Sequence, residues 1–326
     1  MTTKNRILEL LERHRGKSIS GEHLAKTLGV SRNAVWKAVK ELQKDGYRIV
    51  AVTNKGYCLS DENDLISVQG ITPFLSTQCQ KLADGIHIYE SLESTNKTAK
   101  EMAISGARHG TVVISDRQTN GRGRYSRSFF SPPGGLYMSI VLRPSALRFE
   151  NPTLVTAFAA VSVCEAIESI SNNLPKIKWV NDILIDGKKV CGILTEAVTD
   201  FESGGLEWVV VGIGINVNTH PKEFPESLRS VAASLYREEG AQIVRNRLSA
   251  EIINRILGFE ATACEADIIE KYKTRLMTLG REITVIQNES EYKATALDVD
   301  SAGRLVVKVE NGEIITLSYG EIRIKQ

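Results

Sequence analysis

The chain has 326 residues, 42% hydrophobic and 25% charged, with a net charge of +2, which allows two or three domains and excludes a disordered or fibrous chain. The longest apolar run, Leu154 to Ala166, carries Thr156, Ser162 and Glu165 and is too short and polar to span a bilayer. With a polar start at Met1–Arg6 and cysteines (58, 79, 164, 191, 264) far apart without a C-x-x-C pair, a cytoplasmic protein with reduced thiols, no structural metal and no membrane partner is expected.

Charge is uneven. Residues 1–60 carry twelve Lys/Arg against five Asp/Glu, a local charge of +7 that leaves −5 on the rest. A basic end on an acidic body points to a polyanionic partner. Apolar residues at Ile7, Leu8, Leu10 and Leu11 predict a helix over Asn5–His14. Ser20 opens a second, closed by Gly29, and Ser31 caps a third. In the third, Val35, Ala38, Val39 and Leu42 form a core stripe, opposite Asn33, Trp36, Lys37, Lys40 and Lys44. Tyr47–Val52 and Tyr57–Leu59 read as a β-hairpin with Lys55 near its tip. This is a winged helix-turn-helix, bounded by the polar linker Asp61–Asp64 and assigned to residues 1–64. Ser31, Arg32, Asn33, Trp36, Lys37, Lys40 and Lys55 are the candidate DNA-binding residues. A winged helix used for protein contacts is the alternative, and Trp36 could instead cover the core.

The central body, residues 65–278, begins with a strand at Ile86–Glu90. Hydroxyls of Ser91–Asn96 are expected to cap a helix over Lys97–Ser105. Strands at Gly110–Ser115 and Gly135–Leu142 bracket a loop, and a buried helix follows over Thr153–Ile170. The loop sets Arg122, Arg124 and Arg127 beside Gly121 and Gly123 and stops at Pro132-Pro133-Gly134-Gly135. Such a segment is either solvated or an anion cradle, and its support on two core strands favours chemistry.

Lys176–Ile185 and Lys188–Glu196, joined by Asp186-Gly187, read as a hairpin carrying Lys178, Asn181, Asp182 and Lys189. Pointing inward, these groups are costly unless paired or bound. They suit an ATP site, with Lys189 neutralising phosphate charge and Asp182 holding hydrated Mg²⁺; an exposed hairpin with a surface salt bridge is the alternative. In the strand Leu206–Asn218, Gly212 and Gly214 allow a flat ring or another backbone to approach. No G-x-G-x-x-G opens a helix there. Strands at Arg281–Ile286, Glu291–Asp298, Gly303–Val309 and Glu313–Leu317 predict a small β-barrel over 279–326 that covers the ATP site or docks a partner. The fold class is α+β: winged helix-turn-helix, central α/β core with a mixed sheet, and terminal β-barrel.

Taken together, Ser94-Thr-Asn96, Gly121-Arg-Gly-Arg124, Ser131-Pro-Pro-Gly-Gly-Leu136, Lys178-Trp-x-Asn-Asp182, Lys189, Gly192-Ile-Leu194 and Gly212-Ile-Gly-Ile-Asn216 resemble the bacterial bifunctional biotin protein ligase and biotin operon repressor family over essentially the whole chain. The resemblance implies a ligase core, an SH3-like barrel, and activation of biotin by MgATP to biotinyl-5′-AMP. Transfer to a lysine of biotin carboxyl carrier protein follows, in acetyl-CoA carboxylase or pyruvate carboxylase. It further implies a homodimer that binds operator DNA with the adenylate as corepressor. By the same resemblance Ser94, Thr95, Asn96, Gln118, Arg122, Gly123, Arg124, Lys189 and Gly192 bind biotin. Arg124, Asn181, Asp182, Lys189, Gly212, Gly214 and Asn216 meet the nucleotide, with Arg124 and Lys189 catalytic. Ser126, Phe129 and Val180 depart from the family's Gly, Trp and Pro. A ligand-sensing repressor with an inert core, and a lipoate or octanoate ligase, are the competing functions.

Overall fold

The computed structural model describes residues 2–143, 154–199, 206–236, 243–258, 265–287 and 290–324. Thr153, the expected first residue of the long helix, and Cys264 lie outside them. Helices α1 (Thr3–Arg13), α2 (Gly21–Leu28) and α3 (Arg32–Lys44) are capped by side chains of Thr2, Ser20 and Ser31, which accept from Asn5, His23 and Ala34 N–H. Gly29 ends α2 in the left-handed region at φ 67°, where glycine carries no Cβ penalty. Strands β1 (Ile49–Val52) and β2 (Gly56–Leu59) form the antiparallel wing. Ile7, Leu11, Leu24, Val35, Leu42 and Leu59 close a core of their own.

Short helices α4 (Val68–Ile71) and α5 (Thr77–Gln80) lead into β3 (Ile86–Leu92), α6 (Thr95–Ile104), β4 (Thr111–Gln118) and β5 (Leu136–Leu142). Helix α7 (Leu154–Ile170) is followed by β6 (Lys176–Lys178), β7 (Asp182–Ile185), β8 (Lys188–Thr199) and β9 (Leu206–Ile215). The seven strands are ordered β3-β4-β5-β9-β8-β7-β6, with β3 and β4 parallel and the other neighbours antiparallel. The sheet is therefore mixed, as expected. Alternation sets its two faces: Val112 and Ile114 join the main core with α7, while Val113 packs with Ala99 and Ala103 of α6. Helix α8 (Arg245–Leu257) packs on α7 and reaches back to α4, and α9 (Glu265–Arg275) follows.

Two local expectations need correction. Helix α6 starts at Thr95, and its N-cap residue Ser94 makes no side-chain cap bond; the Thr95 hydroxyl is spent in a polar cluster described below. The run Lys176–Ile185 is two strands, broken at Trp179–Asn181 and paired Lys178 to Asp182. The break buries the Trp179 indole, whose Nε1 donates to Gly303 O at 3.1 Å, a contact no local pattern announces. Asp186 and Gly187 do turn between β7 and β8, both at positive φ (50° and 77°).

The terminal strands β10 (Glu282–Gln287), β11 (Ser290–Val299), β12 (Leu305–Val309), β13 (Ile314–Leu317) and β14 (Glu321–Ile324) make a five-stranded antiparallel sheet ordered β13-β12-β11-β10-β14. Its last strand was not expected. Ile283, Val285, Leu305 and Val307 belong to the same apolar core as the central body, so the two units are packed together. No helix among the described residues is long and apolar enough to cross a membrane.

Candidate active site

A single cavity gathers segments far apart in sequence. The start of α6 contributes Ser94, Thr95 and Asn96, the end of β4 contributes Gln118, and the glycine–arginine loop contributes Arg122 to Arg124. The β6–β7 turn adds Asn181 and Asp182, β8 adds Lys189 and Gly192, and β9 adds Gly212 and Gly214. Every expected biotin- and nucleotide-binding residue lies here except Asn216. Strand β9 stops at Ile215, and buried Asn216 instead donates from Nδ2 to Ala233 O at 2.8 Å. It secures the following loop and is not among the residues lining the cavity.

One end of the cavity is polar and neutral. Thr95 donates to Gln118 Oε1 from N at 2.8 Å and from Oγ1 at 3.1 Å, and Gln118 Nε2 donates to Ser131 Oγ at 3.0 Å. These bonds fix the orientation of the Gln118 amide. Ser131 donates in turn to Phe129 O at 2.8 Å, tying the pocket to the loop. Buried Ser139 of β5 lies 2.8 Å from Thr95 Oγ1 and 2.7 Å from Asn96 Oδ1.

The other end is cationic. Lys189 Nζ lies 2.7 Å from Asp182 Oδ1 and 5.8 Å from the Phe129 ring centre. Arg124 Nη1 donates to Asn181 Oδ1 at 3.4 Å and Nη2 to Tyr125 Oη at 3.2 Å. Arg122 faces Glu93 at 3.6 Å. Arg127 donates from Nη1 to Glu321 Oε1 at 2.9 Å, and this partner holds the Glu321 carboxyl below its ordinary range. Glu321 belongs to β14 and lines the cavity, so the terminal sheet borders the site. That contact was beyond sequence reasoning because β14 itself was missed.

Between Arg122 and Phe129 the loop folds on itself. Gly123 N–H donates to Arg127 O at 2.7 Å and Phe129 N–H to Gly121 O at 2.8 Å. Tyr125 and Ser126 both adopt positive φ (55° and 57°), a region that favours glycine. Gly121 is required by contact, since a Cβ there would lie 2.5 Å from Ser131 Oγ. The strand glycines also make room, but for the protein's own side chains. A Cβ on Gly212 would fall 2.0 Å from Asn96 Oδ1, and one on Gly214 would fall 2.7 Å from the Phe129 ring. The flat ring expected at Gly214 is that of Phe129.

Among the described residues no group of three His, Cys, Asp or Glu side chains could hold a metal ion. Asp182 is paired with Lys189, so a divalent cation here fits only as a guest of phosphate oxygens with Asp182 as a supplementary carboxylate.

Residues 88–216 match the biotin/lipoate A/B protein ligase family, residues 3–58 an HTH domain and residues 278–324 the biotin protein ligase C-terminal domain. The chain is 27% identical to the bifunctional ligase/repressor BirA of Escherichia coli (strain K12), covering 95% of this chain and 94% of that one. The biotin protein ligase of Aquifex aeolicus in complex with biotin and ATP superposes with a TM-score of 0.63 at 29% identity, covering 74% of this chain and 98% of that one. The bifunctional ligase/repressor BirA of Bacillus subtilis (strain 168) is 36% identical over 95% of both chains, and with that likeness the protein belongs to the family of bifunctional biotin protein ligase/repressors.

Proposed function

We propose that the protein joins biotin to a lysine of biotin carboxyl carrier protein and represses biotin genes by binding operator DNA. One cavity carries this function, because it joins a neutral pocket at Thr95, Asn96 and Gln118 to a cationic cluster at Arg122, Arg124 and Lys189. A cyclic urea with a carboxylate tail needs both, in that order. A carboxylate oxygen of biotin attacks the α-phosphorus of ATP, the new P–O bond forms, and pyrophosphate leaves. The acceptor lysine then attacks the carbonyl of biotinyl-5′-AMP, forming the amide and releasing AMP.

Both steps move negative charge and need fixed cations more than covalent help. Lys189, aimed by Asp182, is placed to neutralise charge at the α-phosphate, and Arg124 to hold carboxylate and phosphate together. Mg²⁺ bound with the nucleotide supplies further neutralisation of phosphate charge, with Asp182 its protein-side holder. The loop, with its own hydrogen bonds and its link to Glu321, covers the anhydride against water. Acceptors are the biotin domains of acetyl-CoA carboxylase or pyruvate carboxylase. As a repressor the protein acts as a cytoplasmic homodimer, with biotinyl-5′-AMP as corepressor.

The presence of Arg124 and Lys189 in the cavity argues against an inert sensor, and the winged helix and Gly-Arg-Gly-Arg loop argue against a lipoate or octanoate ligase. ATP–pyrophosphate exchange with Mg²⁺ tests the proposal, run with biotin, with lipoate, with octanoate and with no acid. Exchange with biotin alone is expected. Exchange with lipoate alone would overturn the substrate, and none with any acid would leave a DNA-binding sensor.

A further inference from the structure

Asn96 is held by a device that the reaction above does not require. It is 5% exposed and donates from Nδ2 to Leu194 O at 3.1 Å and to Glu196 Oε2 at 2.8 Å. A primary amide has two N–H bonds, so both are spent. Oδ1 accepts from Ser139 Oγ at 2.7 Å, which leaves one of its two lone pairs free. Of the side-chain polar atoms of Asn96, only Oδ1 retains capacity for a ligand. Glu196 is in turn paired through Oε1 with Lys100 Nζ at 2.7 Å, both about a third exposed.

We propose that Glu196 is a specificity-determining positioning residue: its carboxylate, able only to accept, fixes the polarity of the Asn96 amide so that the cavity offers an acceptor and selects a ring N–H. Turning the amide over would set Oδ1 against both Leu194 O and the Glu196 carboxylate, two acceptors without a proton between them. The selected class is a cyclic urea that donates from nitrogen, and the selected-against class is its isostere with oxygen in that ring position. This rests on the biotin function proposed above. Lys100 neutralises Glu196 but does not set the direction of the amide, because a carboxylate accepts with or without it.

The test measures binding of biotin and of its two cyclic carbamates, in which one or the other ring N–H is replaced by oxygen. The proteins are the full-length parent, Glu196→Gln and Lys100→Ala. In the parent, one carbamate should bind on the order of 100-fold more weakly than biotin, because its ring oxygen meets Asn96 Oδ1. Glutamine at position 196 can reverse its own amide, so a turned Asn96 would meet one opposing acceptor, Leu194 O, instead of two. The carbamate penalty should then shrink by roughly tenfold, with the ATP KM unchanged. Lys100→Ala keeps the carboxylate and should keep the penalty within about twofold of the parent. A merely structural role for Glu196 would weaken biotin and both carbamates alike, leaving the ratio fixed, and that result would overturn the proposal. Loss of the penalty in Lys100→Ala would also overturn it. Failure of the parent to bind biotin would bring down the functional proposal as well, and is distinguishable from either.

Discussion

The guanidinium of Arg245, 5% exposed, donates from Nη1 to Asp116 Oδ1 at 2.7 Å. The same group donates to Gly135 O at 2.7 Å, to Asp64 O at 2.8 Å and, through Nε, to Asp64 Oδ2 at 2.8 Å. Asp64 ends the linker from the winged helix, Asp116 precedes Gln118 in β4, and Gly135 opens onto β5. Beside it, Asn246 bonds Glu12 of α1 at 3.2 Å and Ser67 N–H at 3.0 Å. The start of α8 thus ties the DNA-binding unit to the strand that ends in the polar pocket.

Removing Arg245 strands two carboxylates around a buried void. Arg245→Ala should cost about 2–3 kcal/mol, less than the full range for breaking a buried ion pair from one side, because Asp64 and Asp116 keep part of their hydration. Arg245→Lys should lose less but not recover the parent, since a point charge cannot serve Asp64 and Asp116 through a planar fork. Urea unfolding of the three proteins decides this. A loss under about 1 kcal/mol in the alanine variant would mean that the junction does not depend on the guanidinium.

Arg124 and Lys189 should separate stability from chemistry. Neither is deeply buried, and both have partners that remain hydrated when they are removed. Arg124→Ala should therefore stay within about 0.5 kcal/mol of the parent in stability, yet release biotinyl-5′-AMP roughly tenfold faster or more, equal to about 1.4 kcal/mol of lost binding. Lys189→Ala should lower biotin-dependent ATP–pyrophosphate exchange by about 10²- to 10³-fold, the scale for losing one charge-stabilising group. Stopped-flow adenylate release and exchange rates test each in turn. Equal release by parent and Arg124→Ala would detach the loop from adenylate retention.

The winged helix was legible because its stripes and caps are local: Val35, Ala38, Val39 and Leu42 are buried at helical spacing, and Ser20 and Ser31 cap as expected. The candidate site residues that the motifs single out, from Ser94-Thr-Asn96 to Lys189, gather in one cavity. Asn216 stands apart from the cavity lining because its amide is drawn to Ala233 O and its backbone N–H to Val190 O of β8. Ser139, Glu196 and Arg245 were missed for another reason. Ser139 and Glu196 sit in runs that read as ordinary strand, with partners in helix α6, and Arg245 sits in a stretch without a motif, with partners in other elements. Arg245 and Asp64 are 181 residues apart, a distance over which periodicity carries no signal.

The loop's tie to the terminal sheet should respond to pH in one direction. The hydrogen bond from Arg127 holds the Glu321 carboxyl below its ordinary range. A depressed carboxyl contributes stability above its unfolded value and loses it as pH falls through the folded one. The Arg127–Glu321 link should therefore persist from pH 7 to pH 5 and give way only below about pH 4, under the usual glutamate range. Hydrogen exchange of the amides between Arg122 and Phe129, corrected for intrinsic rate, should be slower in the parent than in Glu321→Gln at pH 7. The difference should vanish in acid. If it grew as pH fell, the carboxylate would not be the latch.

Trp36 is 49% exposed on α3, so it does not cover the core and stands on the outward face with exposed Asn33, Lys37 and Lys40. The Ser31 hydroxyl accepts from Ala34 N–H at 3.1 Å, which leaves its own proton for a phosphate. Lys55 is exposed near the wing tip. On the DNA-binding role proposed above, these positions should take different duties. Lys37→Ala and Lys55→Ala should weaken operator and unrelated DNA alike and lower the salt dependence of log K by about one unit each, as expected for lost phosphate contacts. Asn33→Ala should instead cost about 1–3 kcal/mol on the operator alone, as expected for a base-edge contact. Binding curves on both DNAs at three salt concentrations separate the two patterns. Equal losses on both DNAs for Asn33→Ala would move it from base reading to backbone positioning. No loss for any of the three would mean that the winged helix meets a protein rather than a groove.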